Sequence, residues 1–341
     1  MKTMWLFRSN LKSLEYYHEF KTLEEFEKKC HDFYLLMCLW YLKNNYVDQV
    51  IIWRLSKNPP IPITFDIQGK KFHQFWVHNF EQTTKYPSPD ISFWRGGFQE
   101  YDRVTKQHPK HFGKKIYLGA GKRRVPQWGG KYNLLLMEDE RDFVKGKNCA
   151  PFYKTASPEI FKSNLEKPEY DICWPCNFKQ ITQKGQEDFI RAISKSKELK
   201  NLKIVHCGNA QKTGIALCNI YRVKNIEFLG SLKRPELNRV LNKSKTGIVM
   251  SNHMDGCPRV LTEIVMSGTP LLVRNITHFL SEYKNPELGV IEFNDENISD
   301  KIIEGVNNWL KYKSRVIKAT QNEFSFEKTC KKNFEVWTRG R

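Results

Sequence analysis

The chain has 341 residues, 40% hydrophobic and 13% aromatic, enough apolar side chain to fill the cores of two ordinary domains and too much for a disordered tract. Its formal net charge of +19 restricts the partners to anionic ones, namely nucleic acid, an acidic membrane face or an anionic substrate, and says nothing of the fold. The longest apolar run, Phe33–Leu42 between Asp32 and Lys43, is too short to span a bilayer and reads as a buried helix.

The first residues, Met1 to Arg8, are too few for a signal peptide and read as a strand over Met4–Arg8. Leu23–Lys43 has the spacing of one long amphipathic helix, and Val50–Leu55 is the next strand. Ile61–Ile67 and Phe72–Phe80 alternate apolar and polar residues around a turn at Gly69. Ile91–Trp94 is a short strand running into Arg95-Gly96-Gly97, and Lys115–Leu118 and Tyr132–Met137 are two more. This rhythm predicts a doubly wound α/β domain over 1–168. From Arg103 to Lys131 there are nine basic residues and no acidic one, with Trp94 and Trp128 beside or within the run. Lys114, Lys115, Lys122, Arg123, Arg124 and Lys131 are its candidate polyanion contacts. Cations with aromatics suit nucleic acid, through phosphate contacts and base stacking, and equally an anionic membrane surface. Among the histidines nearby, His108 and His111 lie beside its basic side chains.

The polar stretch 163–171, with Pro168, reads as a linker. After it the α/β alternation is regular. Strands are expected at Ile172–Pro175, Lys203–His206, Ile226–Leu229, Thr246–Met250, Pro270–Val273 and Val290–Phe293. Helices are expected between them at Gly185–Ser196, Ala210–Tyr221, Arg234–Asn242, Pro258–Ser267 and Ile276–Tyr283. That is a Rossmann-like domain over 169–318, followed by a helical tail, Ile298–Tyr312 and then Arg315–Trp337. The nine cysteines are an odd number without a secretory leader, so they read as reduced thiols of a cytosolic protein. Cys173 and Cys176 form one C-x-x-C; no second such pair completes a zinc site, and two buried thiols at a strand end is the plainer reading.

The chemistry concentrates in 255–273. Asp255 and Glu263 bracket seven residues, the first in a loop with Gly256 and Pro258, the second a turn into a helix. A helix start preceded by a small-residue loop offers backbone N–H groups to an anion, here those of Cys257, Arg259, Val260 and Leu261. Two carboxylates beside it accept from hydroxyls. A nucleotide diphosphate sugar carries both phosphate and hydroxyls. Upstream, Lys179 and Lys184 lie five apart, with Lys184-Gly185 opening a helix at the end of a strand. Gly208 closes the next strand, and Asn225–Leu237 supplies another strand, a Gly turn and a helix start.

These four segments together resemble glycosyltransferase family 4, the retaining transferases of GT-B fold. The resemblance covers 172–293. It implies two Rossmann-like domains and a C-terminal helix, 319–341, crossing back to the first. It implies that Lys184, and Lys179 where the family usually has Arg, neutralise the leaving diphosphate. Asp255, where Glu is commoner, would hold the donor sugar, Glu263 the ribose, and Gly208 would lie near the nucleotide. It implies a nucleotide diphosphate sugar as donor, an acceptor on the first domain, chemistry in the cleft, and no metal or other cofactor. The first domain departs from the pattern, because Arg8-Ser9-Asn10 stands where a Gly-Gly loop is common. The charge then points to DNA with hydroxylated bases as acceptor, in the cytoplasm of a bacterial or phage-infected cell, the enzyme acting as a monomer. A surface glycan or lipid-linked acceptor is the alternative. A non-catalytic nucleic-acid-binding protein on the same scaffold would need neither both acids nor both lysines.

Overall fold

The computed structural model describes residues 2–8, 20, 22–57, 61–96, 98–119, 132–143, 148–164, 166–178, 184–252 and 257–339. Lys179, Asp255, Gly256, Lys122, Arg123, Arg124 and Lys131 therefore lie outside the described residues. The chain forms two compact units, 1–153 with 330–341, and 154–329.

The first unit is built on an eight-stranded sheet of order β3-β4-β2-β1-β5-β6-β7-β8. The strands are β1 Thr3–Arg8, β2 Gln49–Leu55, β3 Ile63–Ile67, β4 Lys70–Val77, β5 Ile91–Arg95, β6 Lys114–Gly119, β7 Leu134–Met137 and β8 Cys149–Pro151. All pairs are parallel except β3–β4, a hairpin turning at Gly69 with φ 80°. The central strands are buried almost without alternation, as strands covered on both faces must be. Phe7 stacks on Trp94 with ring centroids 3.6 Å apart, within a core that includes Trp5, Trp53, Tyr101 and Phe112.

The single helix expected over Leu23–Lys43 is two, α1 Leu23–Lys29 and α2 Phe33–Lys43. Apolar spacing runs through the break, but Asp32 accepts from the N–H groups of Tyr34 and Leu35 and so caps a new start. Helix α3, Phe98–Gln107, and strand β8 had no counterpart in the sequence reading.

The second unit has a six-stranded parallel sheet of order β11-β10-β9-β12-β13-β14, which is the doubly wound order 3-2-1-4-5-6. Its strands are β9 Tyr170–Pro175, β10 Ile204–Cys207, β11 Ile226–Gly230, β12 Ser244–Val249, β13 Leu271–Arg274 and β14 Val290–Phe293. Its helices are α4 Gln186–Lys195, α5 Lys197–Lys200, α6 Gln211–Ile220, α7 Arg234–Asn242, α8 Arg259–Met266, α9 Ile298–Asn307 and α10 Trp309–Thr320. Residues 162–164 hold to α7: Asn164 N–H donates to Asn242 Oδ1 at 2.7 Å, and Asn242 Nδ2 donates to the Lys162 carbonyl at 3.0 Å.

The helix expected over Ile276–Tyr283 does not form. Ser281–Tyr283 makes one 3-10 turn, and Phe279, Leu280 and Tyr283 are buried from a loop pinned by Thr277 on the Ser251 carbonyl. Apolar residues in a buried loop imitate a helical stripe. The tail breaks at Asn308 and after Thr320 rather than at 313–314, and its last helix, α11 Phe326–Thr338, carries Trp337, fully buried, against Tyr41 and Phe93.

Candidate donor site in the second unit

In the 3-2-1-4-5-6 order the connections leaving β9 and β12 diverge to opposite faces of the sheet, and ligands of open α/β folds bind at the carboxyl ends of such a pair. β9 and β12 are hydrogen-bonded neighbours. The segment after β9 brings Lys184 and Gly185, and the one after β12 brings Cys257 and α8.

The two segments meet at Gly185. It has φ 61°, and a Cβ there would lie 2.3 Å from the Met250 carbonyl oxygen, which immediately follows β12. Only glycine allows both the conformation and the approach. Lys184 is thereby fixed at the start of α4, half-buried. Burial pushes the Cys176 thiol far above its usual range, and the Lys184 ammonium partly offsets this, which sets its charge beside the carboxyl end of β9. Gln186, wholly buried, donates to the Asn177 carbonyl at 2.6 Å and ties the same turn together.

On the other side, Pro258 is the N-cap of α8, so Arg259 and Val260 are its first two helical residues. Their N–H groups have no acceptor within the helix. The Leu261 N–H does not belong with them, because it donates to the Pro258 carbonyl at 3.1 Å. Arg259 is exposed, Val260 half-buried and Leu261 buried. Cys257 is buried, and its carbonyl accepts from Lys154 Nζ at 2.9 Å. Lys154, itself only 4% exposed, thus anchors the end of the loop; nothing in the sequence singled it out.

Glu263 is 4% exposed, and its Oε2 lies 3.1 Å from Arg234 Nη1, at the start of α7. A buried carboxylate needs such a partner. Sequence reasoning missed Arg234, although it stands between Gly230 and Pro235 in a segment already under suspicion. Gly208 makes room rather than contact: a Cβ would fall 1.6 Å from the Cys176 carbonyl oxygen, and its N–H donates to Gly230 O at 2.7 Å.

Behind these residues His206 is fully buried among Trp174, Phe178 and Phe228, with Nε2 3.5 Å from Cys176 Sγ. Burial lowers its pKa to about 4, so it is neutral at physiological pH. The unfolded chain takes a proton near pH 6.5 and the folded chain only near 4, so stability falls as pH drops through that window. Urea unfolding at pH 4.5 should show about 2–3 kcal/mol less stability than at pH 7 from this group. His206→Phe should lose most of that difference; an unchanged slope would mean His206 does not carry it.

In the first unit, the described part of the basic run is largely engaged. Arg103 pairs with Glu81 and Glu100, and Lys106 with Asp102. Lys115 Nζ donates to the carbonyls of Pro109 and Gly113, and Lys114 Nζ to that of Arg339. The acids lie just outside the run, where a count within it does not find them.

Residues 160–323 match the family described as glycosyl transferases group 1. The chain is a glycosyltransferase of GT-B fold. Sucrose-phosphate synthase from Thermosynechococcus elongatus superposes with a TM-score of 0.70 at 10% identity, over 99% of this chain and 98% of that one. The lipopolysaccharide outer core galactosyltransferase WaaB gives 0.64 at 12% identity, over 98% and 99%. TarM of S. aureus, in a complex with UDP and α-GlcNAc-glycerol, gives 0.64 at 9% identity, over 99% and 100%. No curated protein sequence matches the chain. At these identities the likeness shows the fold, and the family match supplies the transferase and its nucleotide-sugar dependence. Among the described residues, no helix of this glycosyltransferase is long and apolar enough to cross a membrane.

Proposed function

We propose that this enzyme is a retaining transferase that moves a hexosyl or pentosyl group from a nucleotide diphosphate sugar to an acceptor hydroxyl. The observation that carries the donor site is the seating of Lys184-Gly185 on the Met250 carbonyl. It puts the lysine at the same sheet edge as α8 and the buried Glu263. Lys184, with Lys179, neutralises the leaving diphosphate, and the N–H groups of Arg259 and Val260 take a phosphate oxygen. Asp255 holds the sugar, and Glu263, oriented by Arg234, the ribose. The enzyme works as a cytosolic monomer without a metal. Product NMR over a panel of donors beginning with UDP-sugars tests the stereochemistry. An α-linked donor should give an α-linked product; a β-linkage would remove the retaining assignment.

For the acceptor, the net charge of +19 supports a polyanion, and DNA with hydroxylated bases is the first reading. With Arg103, Lys106, Lys114 and Lys115 engaged, the contacts fall to Lys122, Arg123, Arg124 and Lys131. Four phosphates neutralised give a slope of log K against log salt of about −3.6. Charge removal at Lys122, Arg123 and Arg124 should flatten it and leave donor affinity unchanged. A surface-glycan or lipid-linked acceptor is the second reading, suggested by the names of WaaB and TarM. Competition between duplex DNA and anionic liposomes at fixed ionic strength separates the two. No binding of either at low salt would make the basic run a solvated face and leave a small soluble or glycan acceptor. Turnover of any donor excludes a non-catalytic binding protein.

A further inference from the structure

The first unit carries a second concentration of charge that the donor chemistry does not use. β1, β2 and β5 are adjacent at the centre of its sheet, and each has an arginine at or near its carboxyl end: Arg8, Arg54 and Arg95. The register sets Arg8 opposite Arg54 on one side and opposite Arg95 on the other. Register partners project to the same face of a sheet, so the three side chains leave it side by side. β1 is also where the strand order of this sheet reverses, the place at which open α/β sheets take their ligands.

Two of the arginines are deep, and Arg95 is half-buried. Arg8 is 6% exposed and Arg54 2%. Asp32 answers Arg8 with both oxygens, Oδ1 at 2.9 Å from Nη1 and Oδ2 at 2.7 Å from Nη2. Its Oδ1 also caps α2. Burial alone would raise the Asp32 pKa, but Arg8, with Arg95 and Arg54, holds it well below the usual carboxylate range. The Tyr34 ring lies under two of the guanidiniums, 4.3 Å from that of Arg95 and 5.1 Å from that of Arg8. Its hydroxyl is 3.5 Å from Glu138 Oε1, and the Glu138 carboxylate acts on Arg95. Asp139 next to it is taken by Arg141. Arg95 Nε, between these groups, is buried without a hydrogen-bond partner.

We propose that Arg8, Arg54 and Arg95 form an oxyanion site that takes a phosphate group of the acceptor. This rests on the reading of the chain as a transferase whose acceptor is anionic. Asp32 fixes the fork of Arg8 in advance, and Tyr34 is a flat support that sets the planes of Arg8 and Arg95. A phosphate presents enough oxygens to meet three guanidiniums at once, whereas a carboxylate presents two in one plane, the match of a single fork. The fork geometry matters as much as the charge, so lysine is no substitute at these positions.

The test is calorimetric titration of inorganic phosphate into the full chain at constant ionic strength, for the unsubstituted protein, Lys184→Ala and Arg95→Gln. Binding should persist in Lys184→Ala and weaken at least tenfold in Arg95→Gln, with near-ultraviolet circular dichroism confirming that each variant is folded. Arg54→Lys, which keeps the charge and loses the fork, should also weaken binding and stands in should Arg95→Gln fail to fold. Competition then names the source: displacement by a hexose monophosphate identifies a monoester acceptor, displacement by an oligonucleotide a backbone diester. Phosphate binding lost in Lys184→Ala and kept in Arg95→Gln would place the ion at the donor site and overturn the proposal, as would no binding to the unsubstituted protein. The readout needs no turnover, so a failure of the donor assignment shows separately, as transfer retained in Lys184→Ala.

Discussion

Replacing Lys184 by alanine should leave a folded protein that transfers sugar about thirty to a thousand times more slowly. The turn around Lys184 is held by groups other than its own ammonium: Gly185 against the Met250 carbonyl and Gln186 on the Asn177 carbonyl. Truncation therefore removes charge and little packing. A diphosphate leaves with its negative charge growing, and a fixed cation at that point lowers the barrier by roughly 2–4 kcal/mol. Because the cation matters most where the charge is greatest, the loss should appear in kcat more than in KM. Glu263→Ala should behave differently. It frees Arg234 and removes a carboxylate for a hydroxyl, so KM for the donor should rise more than kcat falls. Near-normal turnover in both variants would remove the donor-site assignment.

Asp32→Ala should be the most destabilising single change in the first unit, by about 3–5 kcal/mol, since removing one member of a buried ion pair strands the other. Here it strands Arg8 beside Arg54 and Arg95, and it removes the cap of α2 as well. The pH dependence has a definite sign. The folded pKa of Asp32 lies below its unfolded value, so its contribution is complete above about pH 4 and is lost as pH falls through the acid range. Urea unfolding at pH 7 measures the loss. A cost under about 1 kcal/mol would mean that the three arginines are compensated by other groups.

The second unit was legible almost element by element, and the reason is physical. Its strands are short apolar runs between glycines and polar helix starts, and each such boundary is a local event. The paired break after Cys30 was not legible, because the apolar stripe of Phe26, Phe33 and Leu36 continues across it and only the cap at Asp32 reveals the new helix. Nor was the loop at 276–283, whose burial depends on the rest of its unit. In the site, single residues with motif-like spacing were visible, Lys184 and Glu263 among them. Their partners were not: Arg234 and Lys154 come from 29 and 103 positions away. The arginine row lay in plain view as three unrelated strand ends. Only the sheet order makes Arg8, Arg54 and Arg95 neighbours.

The last helix has a consequence for how the chain comes off the ribosome. Residues 154–329 are contiguous, and that unit can close as soon as they have emerged. The first unit, although it is made first, completes its packing only when 330–341 have emerged. The core around Trp5, Trp53 and Trp94 is complete without it, but the side that holds Tyr41 and Phe93 waits for α11, whose Trp337 packs there, and Asn333 ties that helix to Tyr153 through 3.0 and 2.9 Å hydrogen bonds. Nascent domains ordinarily fold in the order they are synthesised. Here the order is inverted, and the first unit spends the whole of the second unit's synthesis with an apolar seat open to chaperones.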